Sequence, residues 1–176
     1  MRKILFKAKI IEDDKWVKGY YIRHVKRTIY PFGDKVKPED EQHAIMHDGF
    51  SDWGMPRDTV HFDIIPQTLC QYTGLADKNR KPIWENDILM CHGNPDDLVK
   101  VAYGEFDVVS IETEEIVDRA IGWHYEVVPT DALSKMEPFC YPMPLNQQNI
   151  KQCGMEVIGN MFDNPELLKG EENGCN

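Results

Sequence analysis

From Lys3 to Ile10 the chain alternates, with Ile4, Phe6, Ala8 and Ile10 against Lys3, Leu5, Lys7 and Lys9. A period of two predicts a half-buried strand. Glu12-Asp13-Asp14-Lys15 reads as a turn, and Trp16 to Val25 returns as a second strand. Its aromatic and β-branched content suits a pleated surface. The two predict an antiparallel hairpin. Further short strands are expected at His43–Met46, at Val60–Ile65 before Pro66, and at Ile88–Cys91 and Leu98–Tyr103 around a Gly93-Asn94-Pro95-Asp96 turn. Phe106–Glu112, Ala120–Val128 and Met155–Ile158 complete the set, the last with a Gly159-Asn160 corner.

Helical signals are few. Thr130 or Asp131 fits as the cap of a short helix through Met136, and Leu145–Lys151 reads as a polar helix. Pro138, Pro142 and Pro144 forbid a long regular element between them. Asn164-Pro165-Glu166-Leu167-Leu168 is a helix start, with Asn as cap and Pro at the first position. The pattern predicts a mainly β (β-rich α+β) fold, a partly open β-barrel with short peripheral helices. Helix content should fall below the third usual for globular domains.

Residues 31–58 break the rhythm. Pro31, Gly33, Pro38, Gly49, Gly54 and Pro56 stand among many charges, so a long irregular insert is expected there. With 176 residues, 41% of them hydrophobic, the chain suits one domain, here 1–168, followed by a polar, frayed tail at 169–176. No apolar run approaches a membrane span, and Lys7 and Lys9 interrupt the N-terminal one before a signal-peptide core can form. The expectation is a cytoplasmic protein without a membrane contact. The five cysteines, Cys70, Cys91, Cys140, Cys153 and Cys175, are odd in number and lack C-x-x-C spacing, which favours free thiols.

Charge is uneven. Residues 1–37 hold 11 of the 20 bases against four acids, a balance of +7, while the remainder is at -17. Such asymmetry points to a nucleic-acid contact or head-to-tail self-association. The simpler reading is a solvated edge strand carrying protective lysines.

Candidate chemistry is sparse. His43 and His47 would share a face on a helix, with Asp48 and Asp52 nearby, but Gly49 and Gly54 disfavour that helix and no third metal ligand stands out. Cys91 and His92 are adjacent, so on a strand they would face opposite ways. Glu85 and Asp87 form either a carboxylate pair for acid–base or metal work, or acceptors for turn amides; the second reading is preferred. Thr73-Gly74 reads as a turn, with no phosphate-loop pattern after it. Phe50 and Trp53 in the insert are either interface anchors or a lid on the protein's own core. No catalytic residue, cofactor or metal site is assigned.

Three blocks carry a family resemblance: the N-terminal MRKILFKAK with Lys15–Tyr21; Ile65–Thr68 with Gln71–Leu75, Asp77-Lys78-Asn79, Glu85, Asp87 and Ile88; and Glu156–Asn160 with Asn164–Leu168. Their order and spacing resemble the YopX family of phage and prophage proteins. The resemblance implies a compact β-rich fold and a phage or prophage origin, and it supplies no catalytic residue. Two departures stand out. The family favours Asn-Gly where this chain has Asn79-Arg80, so either the turn type changes or Asn79 alone takes the left-handed conformation. The family's Glu-Gly-Asp corner is Glu85-Asn86-Asp87 here, and Asn is the residue that keeps it. The expected function is that of a non-catalytic interaction module in the phage–host relationship, with a protein partner or a second copy. The alternatives are a nucleic-acid binder using the 1–37 face and a small enzyme. The second and third blocks are expected to pack against each other as a structural keystone.

Overall fold

A computed structural model describes residues 3–26, 36–50, 54–55, 57–110, 113, 115–130 and 138–168. The expected helix at 130–136, the tail at 169–176, Asp52, Trp53 and Cys175 lie outside the described residues, apart from Thr130. The strands form two antiparallel sheets, in the orders β4-β3-β2-β1-β5-β6 and β10-β9-β8-β7-β11. The fold is mainly β, and neither sheet closes into a barrel. The chain divides into two compact units, 1–72 and 73–176.

The first unit is built from β1 (Phe6–Lys9), β2 (Trp16–Val25), β3 (Glu41–Asp48), β4 (Thr59–Asp63) and the start of β5 (Cys70–Ala76). The β1–β2 hairpin is as the alternation predicts. Its lysines do not sit on an edge, however: β1 pairs with β2 on one side and β5 on the other. Lys7 is buried, with its ammonium 4.9 Å from the Trp16 ring centre. An aromatic face beside the cation makes that burial tolerable. Inside the 31–58 insert, β3 runs for eight residues rather than four. It pairs with β2 and β4, which its modest apolar content did not reveal because only one of its faces is closed. On that face Ile45, Ile64, Ala8 and Val17 form a core. Gly19 is required where β2 passes β3, since a Cβ there would overlap the Met46 carbonyl oxygen.

The second unit holds the far end of β5, then β6 (Pro82–Trp84), β7 (Asp87–Met90), β8 (Leu98–Val109), β9 (Ile116–Val128), β10 (Met143–Pro144), α1 (Gln147–Gln152) and β11 (Glu156–Asn160). Leu98–Tyr103 and Phe106 onward are one strand, not two. Gly104 sits opposite Gly122 in an unbroken ladder, so it does not act as a breaker. Asn146 caps α1 by accepting from the Asn149 amide at 2.9 Å, and Ile150 is buried beneath it. Ile150 joins Ile83, Leu89, Val99, Tyr125 and Met155 in the main core. β7 pairs with β8 only as far as Lys100, and β10 meets β9 at His124 and Tyr125. From Tyr103 outward, β8 and β9 pair with each other alone among the described strands. Gly159-Asn160 belongs to β11, and the corner follows at 161–163. Pro165–Leu168 is a 3-10 turn.

The signature hairpin between β5 and β6 takes neither of the two expected forms in full. Arg80, not Asn79, has the positive φ, at 66°. The Arg80 amide donates to Asp77 O at 3.0 Å and the Asp77 amide to Lys81 O at 2.9 Å. That is a tight turn closed by a single left-handed residue, a place suited to glycine. Asn86, with φ 63°, keeps the second corner as expected. Arg80→Gly should therefore raise stability by about 1 kcal/mol. Urea unfolding of the two proteins measures this, and an unchanged or lower midpoint for the glycine variant would count against the strain.

Candidate functional site

The second and third sequence blocks do pack together, and Asp77 is the reason. Its side chain is 4% exposed. Oδ1 accepts the Asn79 amide at 2.8 Å and the Lys81 amide at 2.9 Å. Oδ2 accepts the Val157 amide at 3.0 Å, eighty residues away. The neighbouring lysines close around it: Lys81 Nζ donates to Val157 O at 3.1 Å, and Lys78 Nζ meets Glu156 at 2.7 Å. β7 pairs with β11, and Ile88 packs in a small cluster with Leu167 and Leu168 beside it. A carboxylate serving three backbone amides is held for structure; its lone pairs are turned inward. Sequence reading placed Asp77 in the turn and missed this role, for which the only signal is an Asp at the start of a compact polar corner.

Asp87 behaves as the preferred reading of the Glu85/Asp87 pair requires. It is 2% exposed, and its Oδ2 accepts the Trp84 amide at 2.8 Å. Glu85 is half-buried.

The histidines lie on strands or turns. His43 and His47 are on β3, where four residues span about 13 Å. His43 Nδ1 is 2.6 Å from the Tyr21 hydroxyl, while His47 stacks on Phe62 and its Nδ1 lies 2.7 Å from Asp48 O. A shared helical face does not arise. Cys91 and His92 fall just beyond β7, in a turn rather than on the strand, with His92 at φ 56°. His92 Nδ1 is 3.0 Å from Asp97 Oδ2 on the surface, whereas Cys91 is buried. Among the described residues no three His, Cys, Asp or Glu side chains are grouped to hold a metal ion.

Cys91, Cys140 and Cys153 belong to or line the main core as free thiols. Burial, with smaller contributions from Cys153, Cys140 and Asp97, pushes the Cys91 thiol up to about 12. Burial, then Cys153 and Asp97, pushes Cys140 up to about 11. Burial likewise raises the Tyr125 phenol. Thiols held protonated are poor nucleophiles at neutral pH.

An open surface stands out in each unit. On the outer β8–β9 ribbon, Tyr103, Ile116, Val117 and Ile121 are exposed, Ile121 to 69%. In the first unit, the face of β2–β3–β4 opposite the core is open. Every second residue of β2 points there: Trp16, Lys18, Tyr20, Ile22 and His24. The register sets Tyr20 beside Met46 and Met46 beside His61, with Ile22 beside Ala44 and His24 beside Gln42. Ala44 floors a groove of ≈ 140 Å³ walled by Ile22, His24, Gln42, Met46 and His61. Tyr20 beside it is 54% exposed. The signal for this face was the alternation within WVKGYYIRHV, unusable until β3 was known to be a full strand. Phe50 is 91% exposed and does not fold back as a lid on the described core.

These features define a two-sheet, mainly β protein whose shared motif is an architectural joint. The model of the YopX protein family matches residues 33–169, and the chain belongs to that family. No curated protein matches it.

Asp77→Ala leaves three backbone amides without their acceptor and should cost about 2–4 kcal/mol. Glu85→Gln should cost about 1 kcal/mol or less. Denaturant unfolding of both variants checks the contrast, and equal losses would remove Asp77 from its special position.

A pH dependence follows from the thiols and the phenol. All three groups are neutral in the folded chain but ionise near 9.0 and 10.0 when unfolded. Above pH 9 the unfolded state thus binds fewer protons, and stability falls as pH rises. The melting temperature should drop between about pH 8 and about pH 10.5, less steeply in Cys140→Ala. Parallel slopes would show that Cys140 is not buried as described.

Proposed function

We propose that the protein is a non-catalytic interaction module of phage or prophage origin, acting in the cytoplasm of a bacterial host on a protein partner. The observation that carries this reading is the use made of the signature carboxylates. Asp77 and Asp87 spend their oxygens on backbone amides of the turn and of β11. The buried thiols are held protonated by burial. Nothing in that arrangement pairs a nucleophile with a base.

The surface for a partner is the outer β8–β9 ribbon. A cluster of exposed large apolar residues is characteristic of interaction sites. Tyr103 and Ile121 project there from neighbouring strands, with Glu105 and the Asp107–Arg119 ion pair, at 3.0 Å, alongside. Residues 103–123 carry six acids and one base, which favours a partner with basic residues around an apolar centre. A second copy offering its basic N-terminal strands is one such partner. The two compact units are proposed to act as a single domain, since β5 runs unbroken from Cys70 to Ala76 across their boundary.

Affinity capture from a bacterial host, with the parent and Ile121→Asp as baits, tests this. A protein that co-purifies with the parent and is lost with the variant is the expected result. A measured turnover that Glu85→Gln abolishes would replace the module with an enzyme.

A further inference from the structure

We propose that the open face of β2–β3–β4 is a second binding site, for single-stranded nucleic acid. One base would enter the groove over Ala44, the next would stack on Tyr20, and the backbone would run past Lys18 and Lys26. This goes beyond the reading of a protein-interaction module, because it concerns a different surface and a different class of ligand.

Three observations converge on it. The first is the mixture along β2, where alternate residues place aromatic and cationic side chains in one exposed row. Single-stranded nucleic acids are held by that combination, with aromatic rings under the bases and cations along the phosphates. A sheet face with exposed aromatics is one of the platforms that present it. The second is the size and lining of the groove. A cavity of about 150 Å³ accepts a benzene-sized ring, so a groove of ≈ 140 Å³ has room for one six-membered ring, the size of a pyrimidine's. The walls are soft and flat: the Met46 thioether, the Ile22 side chain and the His24 and His61 imidazoles. Gln42 lies at the rim and brings an amide within reach of a base edge; its Nε2 donates to Asp63 Oδ1 at 2.6 Å.

The third is charge. Residues 3–26 hold seven bases and three acids. Two of those acids are engaged by lysines, Asp13 by Lys15 at 2.7 Å and Asp14 by Lys9 at 2.9 Å. On β3, Glu41 is engaged by Arg23 and Asp48 lies 3.6 Å from Arg57, whereas Asp63 accepts from the uncharged Gln42 amide. Lys18, His24 and Lys26 are exposed. The excess of four bases over residues 3–26, with Lys18 and Lys26 exposed on this side, favours a polyanion as the ligand. The face is a shallow sheet with a one-ring groove, which suits unstacked bases and not an intact duplex.

The experiment is fluorescence anisotropy with labelled oligothymidine and oligouridine of about 15 nucleotides, and with a duplex of the same length. Binding to the single strands is expected, about tenfold weaker at about 200 mM than at about 50 mM salt. Tyr20→Ala, an exposed position, should weaken it about tenfold. Ala44→Leu fills the groove without touching any charge and should weaken it comparably. Lys18→Glu should weaken it and flatten the salt dependence. Ile121→Asp should bind like the parent, which separates this site from the ribbon. Circular dichroism and melting curves verify that each variant is folded. No binding at low salt overturns the proposal, and so does duplex binding as tight as single-strand binding. Equal binding by the parent, Tyr20→Ala and Ala44→Leu overturns it as well. Loss of a captured protein partner in Tyr20→Ala, without oligonucleotide binding, assigns the face to a protein instead.

Discussion

The second unit depends on one buried carboxylate. Asp77 closes its own turn through the Asn79 and Lys81 amides and reaches the Val157 amide on β11. Burying a charge is costly unless it is well bonded. Here three backbone amides offset the cost. The bond to Val157 ties the first corner to β11, which also pairs with β7 and leads into the Asn160 corner and the turn at Pro165–Leu168. Asn160 repeats the device on a smaller scale, its Oδ1 accepting the Phe162 amide at 2.9 Å and the Asp163 amide at 3.0 Å.

This explains why the signature is rich in Asp, Asn and Gly and poor in reactive pairs. Its Asp77, Asp87 and Asn160 side chains each fasten a corner. Asp77 holds the first, Asp87 with Asn86 the second, and Asn160 the third. Within the stretch that matches the YopX family, the signature corners are thus set by side-chain bonds to backbone amides. Arg80 marks where one of them is compromised, with a left-handed residue that carries a full side chain.

The two units use the same β vocabulary differently. In the first, one sheet face closes over Ile45 and Ile64 while the other stays open, and Gly19 lets β2 and β3 approach closely enough to form that platform. In the second, α1 and β10 cover the core, and the β8–β9 ribbon extends past the strands that pair with its base. Among the described residues, open surface stands out at two chemically distinct places, an acidic apolar ribbon and an aromatic, cationic sheet face.

Much of this was legible along the chain. Alternation located β1 and β2, and Trp16–Val25 has the bounds it was expected to have. Polar composition located α1, and proline and capping signals located the final 3-10 turn. Turn chemistry identified the corners and the family. What local pattern could not supply was anything set by partners distant in sequence. β3 looked only four residues long, and pairing on both edges extends it to eight. β1 looked like an edge until β5 paired with it. The weight carried by Asp77 arises from Val157, eighty residues on. The groove over Ala44 exists only because three strands bring six side chains to one face. A sequence determines which residues turn, alternate or cap, since those are short-range steric and hydrogen-bonding preferences. Which amide a buried carboxylate serves, and which sheet face stays open, is decided when distant segments pack.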